Sequence, residues 1–169
     1  MNNQEVRLQP DDLIITKTDQ KGIITYANRK FMQVSNYAES ALLGQAHNLI
    51  RHPDMPRGVF RLMWKTLMQG KEFFGILKNY TADGGFYWVF ANVTPDYGID
   101  GSTKGYYSVR RMPTRHAIDT MTRIYAEMRA VEQSAGKAAA PDTSLAWLQD
   151  YLDKAHAGSY ENFVLGLNK

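Results

Sequence analysis

FFGILKNYTADGGFYWVFANVT, residues 73–94, holds two runs rich in aromatic and β-branched residues on either side of Ala82-Asp83-Gly84-Gly85. Such runs favour extended chain, and a short Asp-Gly-Gly connection lets the backbone reverse, so the stretch predicts a β-hairpin, Phe73–Tyr80 and Phe86–Thr94. Downstream, Pro95 to Thr103 reads as a loop, with Gly98 and Gly101, and Gly105 to Met112 as a last strand. Upstream, Leu13–Thr18 and Gly22–Tyr26 are two short β-rich runs joined by Asp19-Gln20-Lys21, a second hairpin. Between the hairpins the period becomes helical. Asn28 precedes Phe31, Met32 and Val34 as a helix cap, and a short helix at Glu39–Leu43 ends at Gly44. Val59, Phe60, Met63, Trp64, Leu67 and Met68 recur at helical spacing before Gly70. Strands at both ends with helices between them predict an α+β fold: a five-stranded antiparallel sheet with helices on one face.

Residues 1–10 read as a loose lead-in and 11–112 as the main domain. After Pro113, the residues Ala117, Met121, Ile124, Met128 and Val131 alternate by four and three, a heptad seam that predicts a connecting helix over 113–134. The seam is short, so it needs a sheet to dock on or a second copy to pair with. SAGKAAAPD, residues 134–142, reads as a linker; Thr143 then caps a helix carrying Leu145, Trp147, Leu148, Tyr151 and Leu152. A final run holds Tyr160, Phe163, Val164 and Leu165, which completes a C-terminal α-helical extension over 135–169.

The chain of 169 residues is 44% apolar and 12% aromatic, enough for a real core. A net charge of +3, with no dense Lys/Arg stripe, gives no basis for a nucleic-acid partner. The absence of cysteine excludes disulfides, thiolate catalysis, zinc–cysteine sites and a flavin–cysteinyl adduct. MNNQEVRLQPDD has no apolar signal region, and no apolar run approaches a bilayer span, so the expectation is a cytoplasmic protein without direct membrane insertion. His47, His116 and His156 have no partners at metal-ligand spacing, so no metal is expected.

HNLIRHPDMPRGVFRLMW, residues 47–64, is unusually polar for a segment beside a core. Buried polar groups need partners, so it is either a surface loop entering a helix or the lining of a pocket for a polar, anionic ligand. The fork of Arg51 suits an anion, or a pairing with Asp54. His52 can hydrogen-bond a ligand or hold the loop. Asp54 can orient Arg51 or His52, or cap the helix that Pro56 begins. Trp64 is a core residue or a stacking partner for a ring, and both require the same inward position. Asn79 either faces solvent near the hairpin or offers an amide to a ligand that both donates and accepts; Asn92 has the same two readings.

TDQKGIITYAN, the short helices and the aromatic three-strand block resemble a PAS domain. HNLIRHPDMP, Trp64, GILKNYTADGGFYWVFANVTP and GYYSVRR resemble the flavin-binding PAS domain of Aer-type bacterial aerotaxis and energy-taxis receptors, over residues 11–112. The resemblance implies non-covalent FAD read as a redox report on electron transport. It implies cofactor-binding roles for Arg51, His52, Asp54, Trp64 and Asn79, with Asn28 and Phe60 matching more loosely, and no catalytic residue. Those receptors continue into membrane-anchoring, HAMP and signalling segments that are not found in this sequence. The expectation is therefore a non-enzymatic redox sensor, homodimeric, that passes its signal to a partner protein. The competing readings are a cofactor-free interaction module and a haem-binding gas sensor. A flavoenzyme finds no support, since no G-x-G-x-x-G follows a strand.

Overall fold

The computed structural model describes residues 2–169. Two hairpins and a long third strand build one five-stranded antiparallel sheet in the order β2-β1-β5-β4-β3. Its strands are β1 (Ile14–Asp19), β2 (Ile24–Ala27), β3 (Phe73–Tyr80), β4 (Phe86–Tyr97) and β5 (Thr103–Arg111). β1 and β2 turn through Gly22 at φ 80°, and β3 and β4 through Gly84 at φ 87°, conformations that cost glycine little. The last strand, β5, returns between the hairpins and pairs with β1 (Thr16 opposite Ser108) and with β4 (Val93 opposite Ser108), which makes it the centre of the sheet.

β4 runs three residues further than the sequence predicts, through Pro95 to Tyr97, where a loop was expected. A proline is tolerated there because β3 pairs with β4 only as far as Val93. Beyond that point β4 has a neighbour on one side only, and its missing N–H costs no ladder bond.

Three helices lie between the hairpins: α1 (Arg29–Ser35), α2 (Glu39–Leu42) and α3 (Arg57–Met68), with a 3₁₀ turn at His47–Ile50. Asn28 is the cap expected for α1, and it does more than cap. Its Oδ1 accepts from the Phe31 and Ile15 N–H groups at 3.0 and 3.1 Å, and its Nδ2 donates to the Leu13 carbonyl at 2.8 Å. One amide thus joins β1 to α1. Asn28→Ala should lose about 2–3 kcal/mol in a urea melt, because a cap and a strand tie go together. A melt within 0.5 kcal/mol of wild type, on the order of an ordinary surface change, would show that the tie is dispensable.

Residues 2–10 are held rather than loose. Glu5 bridges Phe86 as a parallel β-partner, and Leu8 is buried in the core. The connecting helix is present and capped by Thr114, whose Oγ1 accepts from the Ala117 N–H at 3.1 Å. It buries Ala117, Met121, Ile124 and Met128 of the predicted seam. It does not stop at the predicted linker. α4 continues over Arg115–Lys154, broken only at Gly136, where φ 76° and ψ 163° leave helical geometry. Residues 137–142 are helical because each of Lys, Ala, Ala and Ala favours helix and a single glycine supplies the bend. Thr143 accordingly caps nothing: its hydroxyl donates to the Ala139 carbonyl one turn back. After the break the chain doubles back onto α3, and α5 (Tyr160–Leu167) closes on the start of α4, where Thr114 donates to the Leu167 carbonyl at 2.8 Å.

One buried carboxylate ties these parts together. Glu132 Oε1 accepts from the Gly58 N–H at 3.1 Å, in the first turn of α3, and from Ser144 Oγ at 2.6 Å, across the Gly136 bend. A carboxylate at a helix N-terminus answers one of the open N–H groups and the positive end of the helix dipole. Tyr125, also fully buried on α4, donates to the Ile76 carbonyl at 2.7 Å and meets Tyr160 Oη at 2.7 Å. Burial, then the neighbouring Tyr160, pushes the Tyr125 hydroxyl well above its ordinary range, so it remains a donor. No helix among the described residues is long and apolar enough to cross a membrane.

Candidate functional site

Between the sheet and the segment running from the 3₁₀ turn into α3 lies a cavity of about 260 Å³. That is near the lower end of small-molecule pockets, about 300–1,000 Å³. Its apolar walls come from Phe60, Met63, Trp64 and Leu67 of α3, with Leu77 and Val93 of the sheet. Its polar groups include Thr16, His47, Arg51, Asn79, Ser108 and Arg110.

The sheet supplies these groups by its alternation. Tyr106, Ser108 and Arg110 are every second residue of β5, so they share a face, and all three line the cavity. On the neighbouring strand Thr16 stands opposite Ser108. Arg51 enters differently. It makes an isolated antiparallel bridge with Asn79, so the chain from the 3₁₀ turn runs briefly as an extra strand beside β3. Bridge partners project to the same side, which sends both Arg51 and Asn79 into the cavity. The Arg51 guanidinium lies 3.5 Å from the ring centroid of Phe60. Burial, with Arg57 close by, lowers its pKa from the usual guanidinium value.

The same alternation turns His52 away. Its ring packs at 4.4 Å from that of Tyr80 and 6.0 Å from that of Phe86, outside the cavity. Burial, followed by the charge of Lys78, lowers its pKa against the pull of Asp54. Asp54 neither caps α3 nor pairs with Arg51. Pro56 holds the cap position without a side-chain bond, and Asp54 instead accepts from Lys78 Nζ at 2.6 Å and lies 3.4 Å from His52 Nδ1. Burial pushes its carboxyl up, but the Lys78 hydrogen bond and charge, with His52, hold it below the ordinary range. Of the seven residues singled out from the sequence, Arg51, Phe60, Trp64 and Asn79 meet at the cavity. His52, Asp54 and Asn28 do not line it. Asn92 lies outside it as well.

The sequence reading gave no role to Arg110, Ser108 or Thr16, and weighed His47 only as a metal ligand. Arg110 is only 4% exposed; its Nη2 reaches Thr16 Oγ1 at 3.2 Å and His47 Nε2 at 2.6 Å. His47 is half-buried, and burial, followed by the charge of Arg110, lowers its pKa well below its ordinary value. The available signal was the alternation Tyr106-Ser108-Arg110, which places a charge on the inward face of a central strand. Among the buried side-chain atoms without a hydrogen-bond partner in the described residues are Arg51 Nε, Asn79 Nδ2, Ser108 Oγ and Arg110 Nη1, and all four residues line this cavity. Buried donors are ordinarily satisfied, so their concentration around one chamber makes it the candidate site.

A second, shallower cleft of about 430 Å³ adjoins the first through Arg51, which lines both. It runs between the start of α3 and α4, with Arg57, Arg129 and Lys137 along it. Its one carboxylate, Glu132, is already engaged by Gly58 and Ser144.

Comparison with known proteins agrees with this architecture. A profile of the PAS fold matches residues 24–110. The aerotaxis receptor of Escherichia coli (strain K12) is 39% identical over 130 residues, covering 77% of this chain but 26% of the receptor. The nitrogen fixation regulatory protein of Klebsiella pneumoniae is 35% identical over 97 residues, 57% of this chain and 20% of that protein. The chain therefore spans about a quarter or less of the length of these relatives. Among solved structures, a light-oxygen-voltage domain studied through a flavin analogue superimposes with a TM-score of 0.57 at 20% identity, covering 68% of this chain and 86% of that one. The light-state structure of the blue-light photoreceptor Aureochrome1 LOV gives 0.55 at 20% identity, over 72% and 93%. A sheet of this order, helices over the face that carries the cavity and a profile match across both together place the chain in the PAS-fold family.

Proposed function

We propose that the protein is a sensory module that binds FAD in the cavity and converts the redox state of the flavin into a conformational signal for a partner protein. The observation that carries this reading is the set of four residues, each with a buried donor lacking a partner, that line a chamber walled by Phe60, Trp64, Met63 and Leu77. A flat heteroaromatic ring with carbonyl and imide edges matches both the apolar walls and the polar atoms. Asn79 Nδ2, Ser108 Oγ and Arg110 Nη1 would hold its polar edge, and Trp64 and Phe60 would cover its faces. A chamber of about 260 Å³ is too small for a whole dinucleotide. The phosphates would pass Arg51 into the adjoining cleft, toward Arg57, Arg129 and Lys137, since guanidinium forks suit phosphate oxygens.

Flavin supplies reversible electron uptake with a change in ring charge and protonation; the chain supplies the rest. Asn79 would offer the ring an amide that both donates and accepts, and its backbone is bridged to Arg51. Arg51 stacks on α3, and α3 is tied through Gly58 and Glu132 to α4. A change in Asn79's hydrogen bonding thus has a continuous path to the C-terminal helices, where a partner or a second copy would read it. The end of β5, which leads into Thr114 and α4, offers a parallel route. The similarity to an aerotaxis receptor supports energy taxis and chemotaxis signalling as the setting, with the protein acting as a sensor rather than an enzyme.

The haem reading is weaker because neither histidine near the site presents a free nitrogen to the cavity. His47 Nε2 meets Arg110, and His52 lies outside. A cofactor-free module calls for a closed interior, which the cavity does not provide. The visible absorption spectrum of purified protein, before and after dithionite, decides among them. A flavin spectrum that bleaches on reduction is the expected result. A Soret band, or a colourless protein that takes up no added FAD, would overturn the proposal.

A further inference from the structure

The inner end of the cavity carries a positive charge with no counter-charge built into the fold. Arg110 sits mid-sheet, with Ile14 opposite it on β1 and Ala91 on β4. It is 4% exposed, and no Asp or Glu lines the cavity. Burying an ion is costly unless a partner repays the lost hydration, and a buried arginine usually finds a carboxylate. Here the neighbours are neutral: Thr16 Oγ1 at 3.2 Å, His47 Nε2 at 2.6 Å and the Phe31 ring with its centroid at 5.8 Å. Nη1 has no partner among the described residues.

The groups that face Arg110 cannot supply the missing charge. His47 is half-buried, and burial, then the charge of Arg110, lowers its pKa well below its ordinary value; with Nε2 as the acceptor it fixes the direction of the fork. Tyr87 is buried on β4, and burial pushes its hydroxyl far above neutrality. Burial lowers the pKa of Arg110 itself to about 10, which leaves it a cation at neutral pH. The other cations lining the cavity are placed differently. Arg51 lies against Phe60 where the two clefts join, and Lys21 is exposed on the rim. Arg110 is therefore the one fully buried charge at the floor.

We propose that Arg110, oriented by His47 and Thr16, makes the cavity bind its ring ligand more tightly when the ring carries negative charge than when it is neutral. This rests on the flavin reading above and goes beyond it, since it assigns the redox poise of the site to one side chain. A flavin ring is neutral when oxidised and gains electron density, and at neutral pH a negative charge, when reduced. A fixed cation beside it stabilises the reduced state selectively, because the attraction is stronger in a desolvated chamber than in water. Differential affinity for two ligand states is by linkage a shift in their equilibrium, so the site holds flavin at a higher potential than a neutral site of the same shape.

The test is a potentiometric titration of the flavin-loaded full chain, wild type against Arg110→Met and Arg110→Lys, with circular dichroism to confirm folding. Arg110→Met should lower the ratio of reduced- to oxidised-ring affinity at least tenfold, which is a fall of about 30 mV for a two-electron couple. Arg110→Lys, which keeps the charge, should remain within threefold of wild type. A folded, yellow Arg110→Met with an unchanged midpoint would overturn the inference and leave the flavin reading standing. If the methionine variant does not fold, Arg110→Gln takes its place with the same expected tenfold fall, and an unchanged midpoint there overturns the inference; a tenfold loss in Arg110→Lys would show that the shape of the fork, not its charge, sets the poise. A wild-type chain that takes up no FAD removes the flavin reading and this inference with it.

Discussion

Arg51→Ala is expected to purify folded and colourless. The backbone bridge between Arg51 and Asn79 uses main-chain groups, so it survives the loss of the side chain. The stack on Phe60, at 3.5 Å, contributes about 1 kcal/mol at a partly exposed position, too little to unfold the domain. The ligand loses far more. Arg51 is the one cation common to both clefts, with a buried Nε that no protein group satisfies. Removing a charge-assisted contact of this kind costs about 2–3 kcal/mol, on the order of a hundredfold in affinity. Arg51→Lys keeps the charge but not the planar fork and should fall between the two. The readout is the ratio of flavin to protein absorbance in purified material. A normal flavin load in Arg51→Ala would place the phosphates elsewhere.

The second large effect is on stability. Gly58 lies in the first turn of α3 against the helix that follows the Gly136 bend, and a Cβ there would come within 2.8 Å of the Leu145 backbone nitrogen. Backbone cannot move aside as the end of a side chain can. Two tendencies compete in Gly58→Val. Replacing glycine in a helix gains up to about 1 kcal/mol of backbone entropy. Overpacking against a neighbouring main chain costs about 3 kcal/mol, and separating the helices also breaks the bonds of Glu132. The collision should win, lowering the melting midpoint by roughly 5–10 °C for a chain of this size. A midpoint equal to or above that of wild type would mean that α3 and residues 137–154 are not in contact in solution.

Much of the architecture was legible because it rests on local chemistry. The Asp83-Gly84-Gly85 turn, the Asn28 and Thr114 caps, Gly44 after α2 and the spacing of α3 each state a local preference that the tertiary fold keeps. The linker at 134–142 was misread for the opposite reason. Its alanines favour helix while its glycine, serine and proline suit a flexible chain, and packing on α3 joins the alanines in holding it helical. The site divides along the same line. Arg51, Phe60, Trp64 and Asn79 stood out through the resemblance and do converge. His52 and Asp54 share the motif but face away, because one residue along an extended chain reverses the side. Arg110 was missed since its role depends on β5 being central, a fact of topology rather than of sequence spacing.

The knot that Glu132 forms with Gly58 and Ser144 makes three stretches, far apart along the chain, rise and fall as one thermodynamic unit. Helix α3 cannot loosen without freeing the returning arm, and that arm cannot peel away without baring a buried carboxylate. Whatever molecule steadies the wall of the chamber therefore also steadies the tail.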